Sequence, residues 1–135
     1  MKSRALRAAL TFVAAVLLLT ILWFWLTMNW SYSEGERAGY IQKLSNKGWL
    51  CKTWEGEIAM VTMPGAIPEK FPFTVRDAAV AGKINSLAGK RVVLSYQQHK
   101  FIPSSCFGET EYFVTEVREV SDQPAAPQGQ LQVPR

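Results

Sequence analysis

The run Ala8–Met28, AALTFVAAVLLLTILWFWLTM, restricts this chain more than any other feature. It holds 21 residues without a charge, and only Thr11, Thr20 and Thr27 are polar. As a helix rising about 1.5 Å per residue it reaches roughly 31 Å, the thickness of a bilayer's hydrocarbon core. It has no polar face, so it does not read as the half-buried helix of a water-soluble fold. The pattern predicts an uncleaved membrane anchor of the signal-anchor kind. A cleaved signal peptide is the alternative, but its apolar run spans only about 7–15 residues. Ser31-x-Ser33 is also a poor cleavage site, because bulky rings surround it.

The flanks orient the anchor. Lys2, Arg4 and Arg7 precede it, and the nearest positive charge after it is Arg37. The positive-inside rule places residues 1–7 in the cytoplasm and the remainder across the membrane. Trp23, Phe24, Trp25, Trp30 and Tyr32 crowd the far end, where amphipathic rings favour the headgroup layer. The first bound partner implied is therefore the lipid bilayer.

Charge enters here. The chain carries 15 Lys and Arg against 11 Asp and Glu, a net charge of +4. Three of the positive residues belong to the cytoplasmic flank, which leaves 12 against 11 for everything else. Phosphate-backbone binding needs a clustered basic face. Lys83, Lys90, Arg91 and Lys100 form the only modest grouping, so nucleic acid is not expected as a partner.

Residues 29–36 read as a juxtamembrane linker with a polar collar at Glu34, Glu36 and Arg37. Residues 37–120 read as the folded domain, and residues 121–135 as a Pro- and Gln-rich tail that cannot bury a core. Within the domain, Arg37–Leu44 reads as a strand, interrupted at Gly48 and continued by Trp49–Trp54. Glu55-Gly56 reads as a tight turn into a strand over Glu57–Met63. Phe71–Arg76 is a short strand, with Pro72 marking its edge or start. Asp77 is placed to cap a helix over Ala78–Ala88, in which Val80, Ile84 and Leu87 share a face and Gly89 is the stop. Lys90–Gln97 and Glu111–Val120 complete the set.

The order β-β-β-α-β-β predicts a mainly β domain, an OB-like five-stranded barrel with one short helix. Closure is sensible, since an open five-stranded sheet of this size would leave a face and two edges uncovered. An SH3-like barrel or a small sandwich is the alternative.

Tyr32-Ser33-Glu34-Gly35-x-Arg37-x-Gly39, then Lys43-x-Ser45-x-Lys47-Gly48 and Lys52-Thr53-x-Glu55-Gly56-Glu57, then the distant Tyr112-Phe113-Val114-Thr115-Glu116-Val117, form a recognisable pattern. It resembles a family of small bacterial membrane-anchored proteins of unknown function. The resemblance implies an anchor followed by a small β-domain, and it brings no activity; with the orientation read from the flanks, the anchor is expected in the bacterial inner membrane, with the N-terminus in the cytoplasm and the domain in the periplasm. Similar proteins are sometimes labelled 6-phosphogluconate dehydrogenase. Nothing in this sequence supports that label, because no Gly-rich strand-to-helix turn exists to cradle a dinucleotide.

Cys51 and Cys106 are the sharpest local feature. In an oxidising compartment they would pair, provided the first and last strands bring them together. The competing reading is two separate thiols, with Cys51 buried as a small hydrophobe. One His rules out a three-His metal site and two Cys rule out a four-Cys zinc site. His99 reads as a solvated residue at a strand end. Glu55 and Glu57 could do acid–base work on a glycan, but as turn residues they read as solvated. The strand aromatics Tyr40, Trp49, Trp54, Tyr96 and Tyr112 read mainly as core, and Trp49 and Trp54, five positions apart, would face opposite sides. Trp49, Trp54, Tyr96, Lys90 and Arg91 are the candidate binding surface.

The expected function is that of a non-catalytic, single-pass envelope protein without a cofactor. Its barrel would bind a membrane or periplasmic protein partner, or another envelope component. The alternatives are a nucleic-acid-binding barrel on the cytoplasmic side, or a glycan-acting enzyme using Glu55 or Glu57.

Overall fold

A computed structural model describes residues 2–60 and 63–121. The predicted tail, from Asp122 onward, lies outside the described residues. Helix α1 spans Lys2–Asn29 and is exposed along its apolar length, as a lipid-facing helix must be. Its three threonines turn their hydroxyls back onto carbonyls of the preceding turn: Thr11 to Ala8 O, Thr20 to Val16 O and Thr27 to Phe24 O, at 2.8–2.9 Å. No hydroxyl in the apolar run is thereby left without an acceptor, as a helix able to cross a bilayer requires. Asn29 Nδ2 and Trp30 N bond to Trp25 O and Leu26 O, which closes the helix end.

The domain is a closed barrel of five strands in the order β1-β2-β3-β5-β4, with one short helix, α2. The strands are β1 Ser33–Lys47, β2 Thr53–Met60, β3 Lys70–Val75, β4 Arg91–Gln98 and β5 Tyr112–Glu119, and α2 is Ala78–Ser86. This is the predicted OB-like architecture. The first half of β1, Ser33–Tyr40, pairs with β4, and its second half, Gly39–Lys47, pairs with β2. An irregularity between Ile41 and Lys43 lets the strand bend from one neighbour to the other. β3 and β5 meet through the parallel pair Thr74 and Phe113, where the ring of strands closes.

The core follows the period-two alternation of the strands. Ile41, Ile58, Phe71, Phe73, Val75, Val92, Leu94, Val114 and Val117 point inward. Ala81, Ile84 and Leu87 of the α2 segment pack against them, and Asp77 caps the helix by accepting from Ala79 N at 2.7 Å. Gly89, at φ +77°, ends the segment as expected. At the start of β3, Phe71 meets Tyr96 and Tyr112 with ring centroids 5.3 and 4.8 Å away, and the Arg37 guanidinium lies over the Phe71 ring.

Three expectations are corrected. β1 begins at Ser33, not Arg37, so the linker shrinks to Trp30–Tyr32, and Tyr32 N already donates to Gln98 O at 2.8 Å. Residues 48–52 form the β1–β2 hairpin loop, not a continued strand, because Gly48 takes φ +135° there. Trp49 and Leu50 therefore stand at a loop tip, 101% and 94% exposed. Gly56 is no turn but the middle of β2, opposite Phe73 of β3. A Cβ on Gly56 would lie 2.4 Å from the Phe73 ring, so glycine is there for space.

Gly56→Ala is expected to lower the unfolding free energy by about 1–3 kcal/mol, the usual cost of overpacking a filled core. Denaturant titration of the full chain checks this, and Phe73→Leu in the same chain should restore part of the loss. An unchanged midpoint would show that the ring has room to move.

Candidate binding surface

Two loops define the most distinctive surface of the barrel. The hairpin loop 48–52 and the long loop 99–111, between β4 and β5, are joined by the disulfide Cys51–Cys106, with 4.9 Å between Cα atoms. In barrels of this architecture these are the loops that flank the ligand-binding face of β2 and β3. The pairing arises differently from the expected route. β1 and β5 are not neighbours in the barrel, and the two cysteines meet because their loops do. Closing a 55-residue separation stabilises by about 4 kcal/mol on the chain-entropy model.

Loop 99–111 is also fastened down onto the outside of β2 and β3. Glu55 points outward from β2 yet is 6% exposed, because the loop covers it. Its carboxylate accepts from Thr53 Oγ1 at 2.7 Å, Thr74 Oγ1 at 2.7 Å and Glu109 N at 3.1 Å. The Thr74 proton is committed to Glu55, so Thr74 Oγ1 can accept from Thr110 N at 3.2 Å. Gly108 lies against Thr74 so closely that a Cβ would come within 2.8 Å of its methyl group. Lys47 pairs with Glu109 at 3.6 Å and Lys70 with Glu57 at 3.1 Å. The face is thus lined by paired carboxylates and Pro72, with no free aromatic platform among the residues that line it. Glu55 is corrected from a solvated turn residue to a buried strut.

The other side of loop 99–111 meets the apolar helix α1. Phe107 packs edge-on against Phe24, with ring centroids 5.1 Å apart. Lys100 Nζ sits over the Tyr32 ring at 4.2 Å. Leu26, Thr27, Trp30, Tyr32, Lys100 and Phe101 enclose an apolar groove of about 240 Å³. On the opposite flank a wider cleft of about 780 Å³ opens between Met28 and Asn29 of α1 and Arg76, Gln97 and His99 of the barrel. His99 is 5% exposed and packs edge-on against Phe113, so it is buried rather than solvated.

The proposed binding residues are not brought together. Trp54 and Tyr96 pack on the core, while Trp49 stands at the exposed hairpin tip, away from them. Lys90 pairs with Glu119 at 2.9 Å, and half-buried Arg91 opens β4 opposite Tyr40. Trp23, Trp25, Trp30 and Tyr32 are exposed around the helix end, as a belt requires. Sequence reasoning missed Phe101, Phe107, Glu109 and Thr110, since an irregular loop has no periodicity from which to assign faces. Among the described residues no three His, Cys, Asp or Glu side chains converge as metal ligands.

Glu55→Gln keeps one acceptor oxygen and sets an amide NH2 against at least one of the three donors that now bond to the carboxylate. A stability loss of about 1–3 kcal/mol is expected, together with faster hydrogen exchange at the Glu109 and Thr110 amides. Unaltered exchange at both would show that the carboxylate does not hold the loop.

No curated protein matches the sequence. Among solved structures, the chain is similar to the mitochondrial single-stranded DNA-binding protein of S. cerevisiae, with a TM-score of 0.52 at 9% identity. That match covers 67% of this chain and 96% of the yeast one, and at this identity it shows the fold alone. A family model described as Domain of unknown function (DUF8785) matches residues 30–124, which takes in the whole barrel. The chain therefore belongs to the DUF8785 family, with the apolar helix lying outside the matched segment.

Proposed function

We propose that this chain is a single-pass protein of the bacterial inner membrane that holds a non-catalytic OB-like barrel on the periplasmic side, where the barrel binds a protein partner or another envelope component. The observation that carries this reading is the junction between helix and barrel. α1 ends at Asn29, and Tyr32 is already hydrogen-bonded to the end of β4. The barrel is confined to the bilayer surface, so whatever it binds is met there. The positive flank of α1 supports the orientation. The disulfide supports an oxidising compartment.

The outer face of β1, β4 and β5 is the surface left for a partner. It carries both signs in two pairs, Glu36 with Arg118 and Lys90 with Glu119, and Glu34 accepts from the uncharged Gln97 Nε2 at 2.9 Å. A mixed, paired surface suits a protein partner better than a polyanion. Binding of single-stranded nucleic acid, the property of the yeast protein with the same fold, is disfavoured. The strands that would carry it present Glu55 and Glu57 beneath a fastened loop. Against catalysis, Glu55 is consumed by three hydrogen bonds, Glu57 is paired, and His99 is packed on Phe113.

Alkaline phosphatase fused after Arg135 is expected to be active, and green fluorescent protein fused there is expected to be dark. The reverse pattern would overturn the orientation. A photo-crosslinking residue at Glu116, exposed on β5, is expected to trap a discrete adduct in cells. Anisotropy of a labelled oligo-dT in low salt should show no saturable binding, and saturation would favour the nucleic-acid reading instead.

A further inference from the structure

The crosslinked loops carry apolar side chains that the barrel does not use. Trp49 and Leu50 stand 101% and 94% exposed at the hairpin tip, and Phe101 is 78% exposed in loop 99–111. Phe101 is also the one described non-glycine residue with positive φ, at +62°. That is an uncommon backbone state for a bulky residue, and it sets the ring out from the loop. Scattered exposed apolar residues are ordinary, but these are gathered by the disulfide. With about 3.8 Å per peptide step on either side of the 4.9 Å crosslink, Leu50 lies within about 13 Å of Phe107, Cα to Cα.

Phe107 fixes the height of this patch. Its partner Phe24 lies four residues before the end of the apolar span, about 6 Å down the helix from Met28. The 21-residue span is only just long enough for the hydrocarbon core, so its last residues lie at the lipid boundary. A loop whose Phe107 touches Phe24 is therefore level with the headgroups, not above them. Lys100 Nζ lies over the Tyr32 ring at 4.2 Å, and Lys52 follows Cys51 in the hairpin loop that carries Trp49 and Leu50. That pairing is the one by which side chains anchor at an interface.

We propose that loops 48–52 and 99–111 form one membrane-inserted wedge. In it Trp49, Leu50, Phe101 and Phe107 enter the headgroup layer of the bilayer that α1 crosses, while Lys52 and Lys100 meet lipid phosphates. The occupant of this surface is lipid. The inference rests on the anchoring read above, and it assigns to the bilayer the two loops that in other barrels of this architecture grip a ligand. The barrel then stands on the membrane at two places, the helix and the wedge, with the β1-β4-β5 face turned to its partner.

The test uses the full chain, labelled with fluorotryptophan, in nanodiscs of phosphatidylethanolamine and phosphatidylglycerol. Its five Trp give resonances assigned by single Trp→Phe variants. A lipid carrying a nitroxide near the carbonyl end of its acyl chain should remove most of the Trp49 signal. A water-soluble gadolinium chelate should spare it, and Trp54, packed on the core, should be little affected by either. Trp49 broadened by the chelate and spared by the lipid would overturn the wedge and leave the loops free for a protein. Leu50→Glu combined with Phe101→Glu alters only exposed side chains and should shift Trp49 from lipid to chelate sensitivity. No shift in that variant would equally overturn the proposal. Trp23 and Trp25 keep the two readings apart, because lipid broadening there with none at Trp49 sinks the wedge alone. Loss at all three sites sinks the anchor as well.

Discussion

Everything in this structure hangs on the divided pairing of β1. A 15-residue strand gives its first half to β4 and its second to β2, and the bend between Ile41 and Lys43 turns a flat sheet into a ring. Closure leaves no long edge open to another chain, a protection that a small β-domain needs. It also brings the N-terminal end of β1 next to the end of β4, so the helix enters the barrel at a point already hydrogen-bonded. The loops at either end of the divided strand follow from the same geometry. One is the hairpin after Lys47, and the other leaves β4 opposite Ser33.

The sequence was readable where one period dominated. The apolar span, the β-β-β-α-β-β order, the Asp77 cap and the shared face of Val80, Ile84 and Leu87 all follow from local pattern and are all present. It misled where two physical reasons select the same residue type. Gly56 looks like a turn, yet it is a strand glycine emptied for the Phe73 ring, and only the register of β3 against β2 reveals that. Trp49 looks like a strand residue, but Gly48 ends the strand through a backbone angle that composition does not display. The identity of Glu55 could not reveal its burial, since what covers it comes from Glu109 and Thr110, more than 50 positions away. The candidate surface was the least legible part for the same reason. Its members lie on loops, and loops carry no periodicity.

The barrel's usual ligand face and its actual surroundings point in different directions. The outside of β2 and β3 is closed by loop 99–111, held by Glu55 from beneath and by Cys106 at its tip. A fold that elsewhere grips an extended polymer is here latched shut on that side and left open on the face of β1, β4 and β5. Likeness of fold to a single-stranded DNA-binding protein therefore carries architecture across, while the chemistry of the face differs.

The three-residue junction Trp30–Tyr32 makes the barrel an extension of the helix. A flexible linker would let the domain swivel freely over its anchor. Here the azimuth of the barrel is set by the phase of the helix. Each residue added to or removed from α1 turns whatever follows by about 100° and shifts it by about 1.5 Å. The length of α1 thus fixes two quantities at once: whether the helix is long enough to cross a bilayer, and which side of the barrel lies over which face of the helix.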